Sequence, residues 1–357
     1  MKKKLSLGLT AILFVSSAAA LYNYWTRSRQ SSSARNEILA LMPPEADAVV
    51  FADFSELRTT PFLAKLYAWA PKPQADPEYE QFLKDTGFDY ERDLSRIAVA
   101  FEKGGSDSDF FAVADGKFDK SKISGMAMKS GTRLKIGARE IFSVPVSGST
   151  KKIPFTFLRS DRIALTNEAD LARSLAPKKG EADAGDWRAR FERLSGSPIF
   201  AVIRQNAAGA ALVERAPGGF RSPQLSSLLE QLQWITVAAK PENDRLRVIA
   251  EGECTSEATT RQLADTLNGI VLLADAGLND AKIRQQLDPA LRAAYLELLK
   301  SADVSKIDRG ETKSVRLTFE ITPAFLDAAS RSPSSSPGFD SPKPATGGSG
   351  RSKKGHT

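Results

Sequence analysis

The chain has 357 residues, 41% apolar and 26% charged, enough for two ordinary globular domains with a sizeable core, and its formal charge is +7. The excess of cations sits at the ends: residues 1–36 hold six cations and no acid, residues 331–357 hold five cations and one acid, and the body between has 39 cations against 42 acids. A near-neutral body whose only local basic pairs are Lys151-Lys152 and Lys178-Lys179 excludes the concentrated basic face that a phosphate backbone requires, so no nucleic-acid partner is expected.

At the N-terminus Lys2, Lys3 and Lys4 precede a run without charge from Leu5 to Tyr22, and Tyr22, Tyr24 and Trp25 fall where an interfacial aromatic belt would lie before Arg27 and Arg29. Residues 1–25 therefore read as one hydrophobic helix, a signal anchor that meets the membrane through residues 5–25. A cleavable signal peptide cut after Ala20 is the competing reading. A short basic N-tail stays inside, which predicts a single-pass protein of the bacterial cytoplasmic membrane with its body on the periplasmic or extracellular side, or a secreted one if the leader is cut. Residues 26–36 are polar and serine-rich, a linker.

Residues 37–177 read as a first α+β unit. Asp47 to Phe54 is apolar on both alternations, as in a central strand covered on two faces. Ser55 is placed to cap a helix through Leu57, Phe62, Leu63, Leu66 and Trp69 that Pro71 and Pro73 stop, and Glu78 to Lys84 predicts another short helix. Next comes a hairpin from Arg96 to Gly116: Ile97, Val99 and Phe101 alternate with alanines, Gly104 to Asp107 turn, and Phe110 to Val113 lead back to Asp115-Gly116. Lys120 to Met128 predicts a helix, and Arg133–Ile136, Arg139–Val146, Ile153–Leu158 and Arg162–Leu165 predict short strands of an antiparallel sheet. Helices are expected from Asn167 and over Asp186–Leu194, with Trp187 and Phe191 inward, and residues 178–185 between them are the candidate boundary.

The run Leu41-Met42-Pro43-Pro44, Ala46 to Asp53 and Leu57 to Pro61, followed by Gly87-Phe88-Asp89 and Arg92-Asp93-Leu94, resembles the opening of uncharacterised bacterial membrane-anchored or secreted envelope proteins classed as a domain of unknown function. The resemblance covers about the first third of the body. It implies location and fold, with no active site to transfer.

Residues 186–330 read as a second unit. Pro198 to Ile203 is again apolar on both faces, and Gln233 to Gly252 repeats the hairpin pattern, turning at Pro241 to Asp244 and ending in Glu251-Gly252. After Cys254 come two helices, one with Leu263, Leu267, Ile270, Val271 and Ala274 and one with Leu287, Leu291, Ala294 and Leu298 at helical spacing, then a strand from Lys313 to Ile321. Residues 331–357, rich in Ser, Pro and Gly, cannot bury enough apolar area to offset their ordering entropy and read as a disordered tail. The expected fold is thus α+β: two tandem related β-α-β-β units with a largely antiparallel sheet and helices on one face, preceded by one hydrophobic helix.

Chemistry is constrained by scarcity. The only histidine is His356, in the tail, which removes Ser-His-Asp and Cys-His devices and histidine-based metal sites from the body. Cys254 is alone and reads as a small semi-buried residue. Ser149-Thr150-Lys151-Lys152 matches S-x-x-K, but it follows Lys129-Ser130-Gly131 and lies between strands, the reverse of the order that serine-lysine acylation uses. Asp107 and Asp109 lack the remaining ligands of a calcium loop and read as turn residues. Asp53 and Glu56, at the end of the first central strand, are the candidate ligand-binding residues, set against their alternative use as a helix cap and dipole partner. No metal and no cofactor is expected. The function expected is that of a non-enzymatic, membrane-anchored envelope protein that binds or scaffolds another envelope protein or polymer. The alternatives are a carboxylate-dependent envelope hydrolase or transferase, and a cytoplasm-facing anchored adaptor.

Overall fold

In a computed structural model of the chain, residues 33–62, 64–65, 77–102, 109–145, 151–168, 187–193, 196–205 and 230–331 are described, with Leu171 and Leu175 between them. The strands are β1 (Ala48–Asp53), β2 (Leu94–Glu102), β3 (Asp109–Gly116), β4 (Thr132–Ile136), β5 (Arg139–Pro145), β6 (Lys152–Arg159), β7 (Arg162–Thr166), β8 (Ile199–Arg204), β9 (Leu232–Glu242), β10 (Arg245–Cys254), β11 (Asp303–Arg309) and β12 (Thr312–Ile321). They form one sheet in the order β11-β12-β10-β9-β8-β1-β2-β3-β7-β6-β5-β4, and every neighbouring pair is antiparallel.

The helices are α1 (residues 33–39), α2 (Phe54–Leu57), α3 (Pro77–Thr86), α4 (Tyr90–Asp93), α5 (Lys120–Ser130), α6 (Trp187–Arg193), α7 (Glu257–Asn279), α8 (Ala281–Gln286), α9 (Pro289–Ser301) and α10 (Pro323–Arg331).

The sheet is continuous because β1 and β8, both apolar on both alternations, pair with each other: Phe51 stands opposite Phe200 and Val49 opposite Val202. Neither strand could leave an edge exposed without stranding backbone groups in an apolar setting. From this central pair the order runs outward as β1-β2-β3-β7 on one side and β8-β9-β10-β12 on the other.

One face carries the main core, where Val49, Phe51, Ala98, Ala100, Val113, Phe200 and Val202 meet Ile38 and Leu39 of α1 and Trp187 and Phe191 of α6. On the opposite face α5 sets Ile123 and Ala127 on Phe142, Phe155 and Ile163. There too α7 sets Leu263 and Ala264 on Leu232, Cys254 and Val315, and Leu326 of α10 joins Phe62 over Leu246 and Val248.

Two expectations are corrected here. The fold is a single sheet-dominated body with helices on both faces, in place of two tandem β-α-β-β units with helices on one face behind a hydrophobic helix. Residues 37–177 and 186–330 both feed the one sheet. The signal anchor, the transmembrane helix and the single-pass location with a periplasmic or extracellular body are corrected as well, because no described helix is long and apolar enough to cross a membrane. The longest described helix, α7, carries Glu257, Arg261, Asp265 and Asp275 and buries only a stripe near its start, which makes it a sheet-covering helix. Residues 5–25, the boundary at 178–185 and the tail after Arg331 lie outside the described residues, and residues 33–36 of the expected linker belong to α1.

Candidate functional site

The end of β1 is where the sequence places a ligand site. Asp53 closes the strand and starts α2, and its carboxylate serves both. Oδ1 accepts the Glu56 backbone N–H at 3.0 Å as the helix cap, and Oδ2 accepts Arg96 Nε at 2.7 Å. Arg96 is the residue directly opposite Asp53 in the β1–β2 register, so strand pairing alone delivers the arginine. The cap falls to Asp53 and not to Ser55, whose hydroxyl instead donates to Ser95 O.

Glu56 follows in the first turn of α2 and remains exposed. Partial burial, and then the charge of Asp53, push its carboxyl above the ordinary glutamate value, while Arg35, Lys240 and Arg96 pull the other way. Arg35 reaches in from α1 with its guanidinium 5.3 Å from the Phe191 ring centroid, and burial holds its pKa below the usual arginine value against the pull of Glu56 and Asp53. The end of β1 therefore gathers two carboxylates and the cations Arg35, Arg96 and Lys240, and of the two carboxylates Asp53 is buried in its cap and ion pair while Glu56 is open to solvent.

The same economy governs the other buried acids, which sequence reasoning did not single out as ion pairs. Asp115 accepts Arg162 Nε and Nη2 at 2.6 and 2.9 Å, and the two are register partners across β3 and β7. Glu251 faces Arg316 across β10 and β12 and accepts from Arg316 Nη2 at 2.9 Å and from Arg309 Nη1 and Nη2 at 2.5 and 3.0 Å. The two acid-glycine pairs that end the hairpins are thus used alike. Glu253 accepts from Arg190 at 2.6 Å and from Arg193. Asp93 accepts from Arg92 at 2.7 Å.

Burial opposes ionisation of Glu251, but the hydrogen bonds from Arg309 and Arg316 outweigh it and hold the carboxyl below its ordinary value. The Arg92 hydrogen bond, aided by the Asp89 backbone N–H, holds Asp93 down at about 2. A signal for these pairs existed, since Asp115 and Glu251 each follow directly on an apolar run, Phe110–Ala114 and Val248–Ala250, but naming the partner arginines required the strand register.

Asp109 opens β3, whereas Asp107, Ser149 and His356 lie outside the described residues. Cys254 is buried against α7 and its thiol is pushed up by desolvation, the environment of an inert side chain. Among the described residues no group of three or more His, Cys, Asp or Glu is arranged to hold a metal ion.

Fold and site together define the class: an antiparallel sheet protein with twelve strands among the described residues, whose buried carboxylates there are locked in arginine pairs. No family model matches the chain and no curated protein matches it. Among solved structures, crystal forms III and IV of TP0453 align over 82% of this chain and 97% and 94% of theirs, at 8% and 11% identity and a TM-score of 0.43. A likeness of that size carries nothing about function.

Proposed function

We propose that the protein is a non-enzymatic binding or scaffolding protein. The observation that supports this reading is the fate of its acids: every buried Asp or Glu among the described residues, namely Asp53, Asp93, Asp115, Glu251 and Glu253, is in an ion pair with arginine. Carboxylates so held are acceptors fixed in place, and general acid-base work needs one free to exchange its proton. The sheet they organise is a broad rigid platform, suited to presenting surface.

The test is a photo-crosslinking scan over surface positions in the native cell, with Glu56→Gln as a parallel variant. The reading expects adducts confined to one face, with one partner, and unchanged in Glu56→Gln. Absence of any site-specific adduct refutes it. A carboxylate-dependent hydrolase or transferase is the second reading, favoured by the raised carboxyl of Glu56 beside Asp53. It gains if Glu56→Gln abolishes the biological role while melting at the parent temperature.

A further inference from the structure

The two edges of the sheet differ. β11 is a polar strand with α7 packed against it. β4, at the other end, has all five residues exposed, pairs with β5 through every residue with no bulge, and among the described residues has no strand on its far side. Natural edge strands are blunted by proline, bulges, short length or charged side chains, lysine above all; Thr132-Arg133-Leu134-Lys135-Ile136 has neither proline nor bulge and is guarded by its cations Arg133 and Lys135, which repel a like-charged strand and leave the edge open to an acidic one.

Its two faces have distinct chemistry. Leu134 lies opposite Ile141, which is in the main core at 6% exposure, whereas Leu134 is 60% exposed and Ile136 44%. The apolar stripe thus runs one strand beyond its cover. On the other face Arg133 and Lys135 alternate with these residues, and a cleft of about 290 Å³ beside them is lined by Lys120, Lys135, Arg139 and Glu140 over Phe142 and Phe157. Glu140 is itself 3.4 Å from Arg133, so the surplus charge at this edge is positive.

We propose that β4 is a docking edge for an extended acidic segment of another protein, which adds to the sheet as a further strand with apolar residues over Leu134 and Ile136 and acidic ones toward Arg133 and Lys135. This rests on the binding reading above and deepens it. Charge argues against the other occupants. Antiparallel pairing of β4 with a second copy about Leu134 sets Arg133 opposite Lys135 twice, a like-charge arrangement that destabilises a ladder. The chain's own residues 332–357 carry four cations and one acid and repel the same edge.

The experiment is fluorescence anisotropy of a short labelled peptide of alternating Glu and Val, titrated with the full chain at physiological ionic strength. Saturable binding is expected, weakened about tenfold or more by Lys135→Glu combined with Arg133→Glu, the two exposed cations of β4 that share one face. It is also expected to vanish when alternate peptide amides are N-methylated, which blocks strand pairing and keeps the charge. Unchanged melting of the double variant, together with its gain of affinity for an alternating Lys and Val peptide, separates lost recognition from lost folding. No saturable binding, equal binding of the Lys peptide by the parent, or full binding of the N-methylated peptide each overturns the proposal. Adducts in the crosslinking scan that map away from β4 sink this edge and leave the binding function standing, whereas a scan with no adducts sinks the function itself.

Discussion

Replacing Arg162 with Met tests the central structural claim. The guanidinium and the Asp115 carboxylate are 6% and 7% exposed and joined by two hydrogen bonds. Met keeps most of the stem but leaves Asp115 a buried carboxylate without its main partner, which costs about 3–5 kcal/mol. Against a total stability of roughly 5–15 kcal/mol that is a large share. For a body of this size it lowers the melting temperature by roughly 5–8 °C. Removing both charges, as Asp115→Leu with Arg162→Met, leaves no orphan charge and is expected to recover most of the loss. The assay is urea unfolding followed by circular dichroism on the three variants. A loss below about 1 kcal/mol for Arg162→Met, the range of exposed pairs, or a double variant as unstable as the single one, refutes the reasoning.

Acid should expose the same design. The folded carboxyls of Glu251 and Asp93 are held below their unfolded values, so their contribution is complete above the ordinary carboxylate range and is lost as pH falls through the folded values, down to about 2 for Asp93. Unfolding free energy measured between neutral pH and that limit should fall steadily, and Arg309→Ala with Arg316→Ala should flatten the profile; an unchanged profile counts against the pairing. Glu56 has the opposite sign. Its folded carboxyl is raised, so ionising it costs stability as pH rises, and Glu56→Gln is expected to melt at or above the parent temperature at neutral pH, with the difference gone in acid; a clear loss at neutral pH contradicts the assignment. The two hairpin-closing glycines should respond unequally. A Cβ at Gly116 would lie 2.8 Å from the Asp93 backbone oxygen, while at Gly252 it meets only the tip of Leu232 at 3.1 Å. Gly116→Ala is therefore expected to cost about 1–3 kcal/mol, and Gly252→Ala less, by the same unfolding assay.

How much of this was legible depended on range. The elements were largely readable: the apolar alternation of Ala48 to Asp53, the hairpins, and the strands from Thr132 to Thr166 are local patterns, and Trp187 and Phe191 do point inward. What failed was long-range assembly. β1 and β8 are far apart in sequence, and nothing local says that two doubly apolar strands will find each other and merge two units into one sheet. β11 was not among the expected strands because Asp303, Lys306, Asp308 and Arg309 leave no apolar alternation to read, and its pairing with β12 is what makes it a strand. Of the candidate site, Asp53 was legible as an acid at a strand end, but its use as cap and ion-pair acceptor depends on Arg96 standing opposite it. The arginines Arg162, Arg190, Arg309 and Arg316 were illegible for the same reason.

That dependence on register suggests what the pairs are for. In the central strands Ala98 and Ala100 of β2, and Ala112 and Ala114 of β3, stand two residues apart on one face of their strand, so at these positions a two-residue slide exchanges alanine for alanine and changes hydrophobic burial little. The ion pairs are not so tolerant. A two-residue slip moves an arginine about 7 Å along its neighbour, which would leave Asp115 and Arg162, or Glu251 and Arg316, buried and unmatched. We therefore predict that these pairs specify alignment more than they stabilise the folded state. The doubly apolar Asp115 and Arg162 variant decides the matter: it should keep its stability yet show more than one set of amide signals for β3 and β7 in a heteronuclear NMR spectrum. A single set identical in pattern to the parent's would show that packing alone fixes the register.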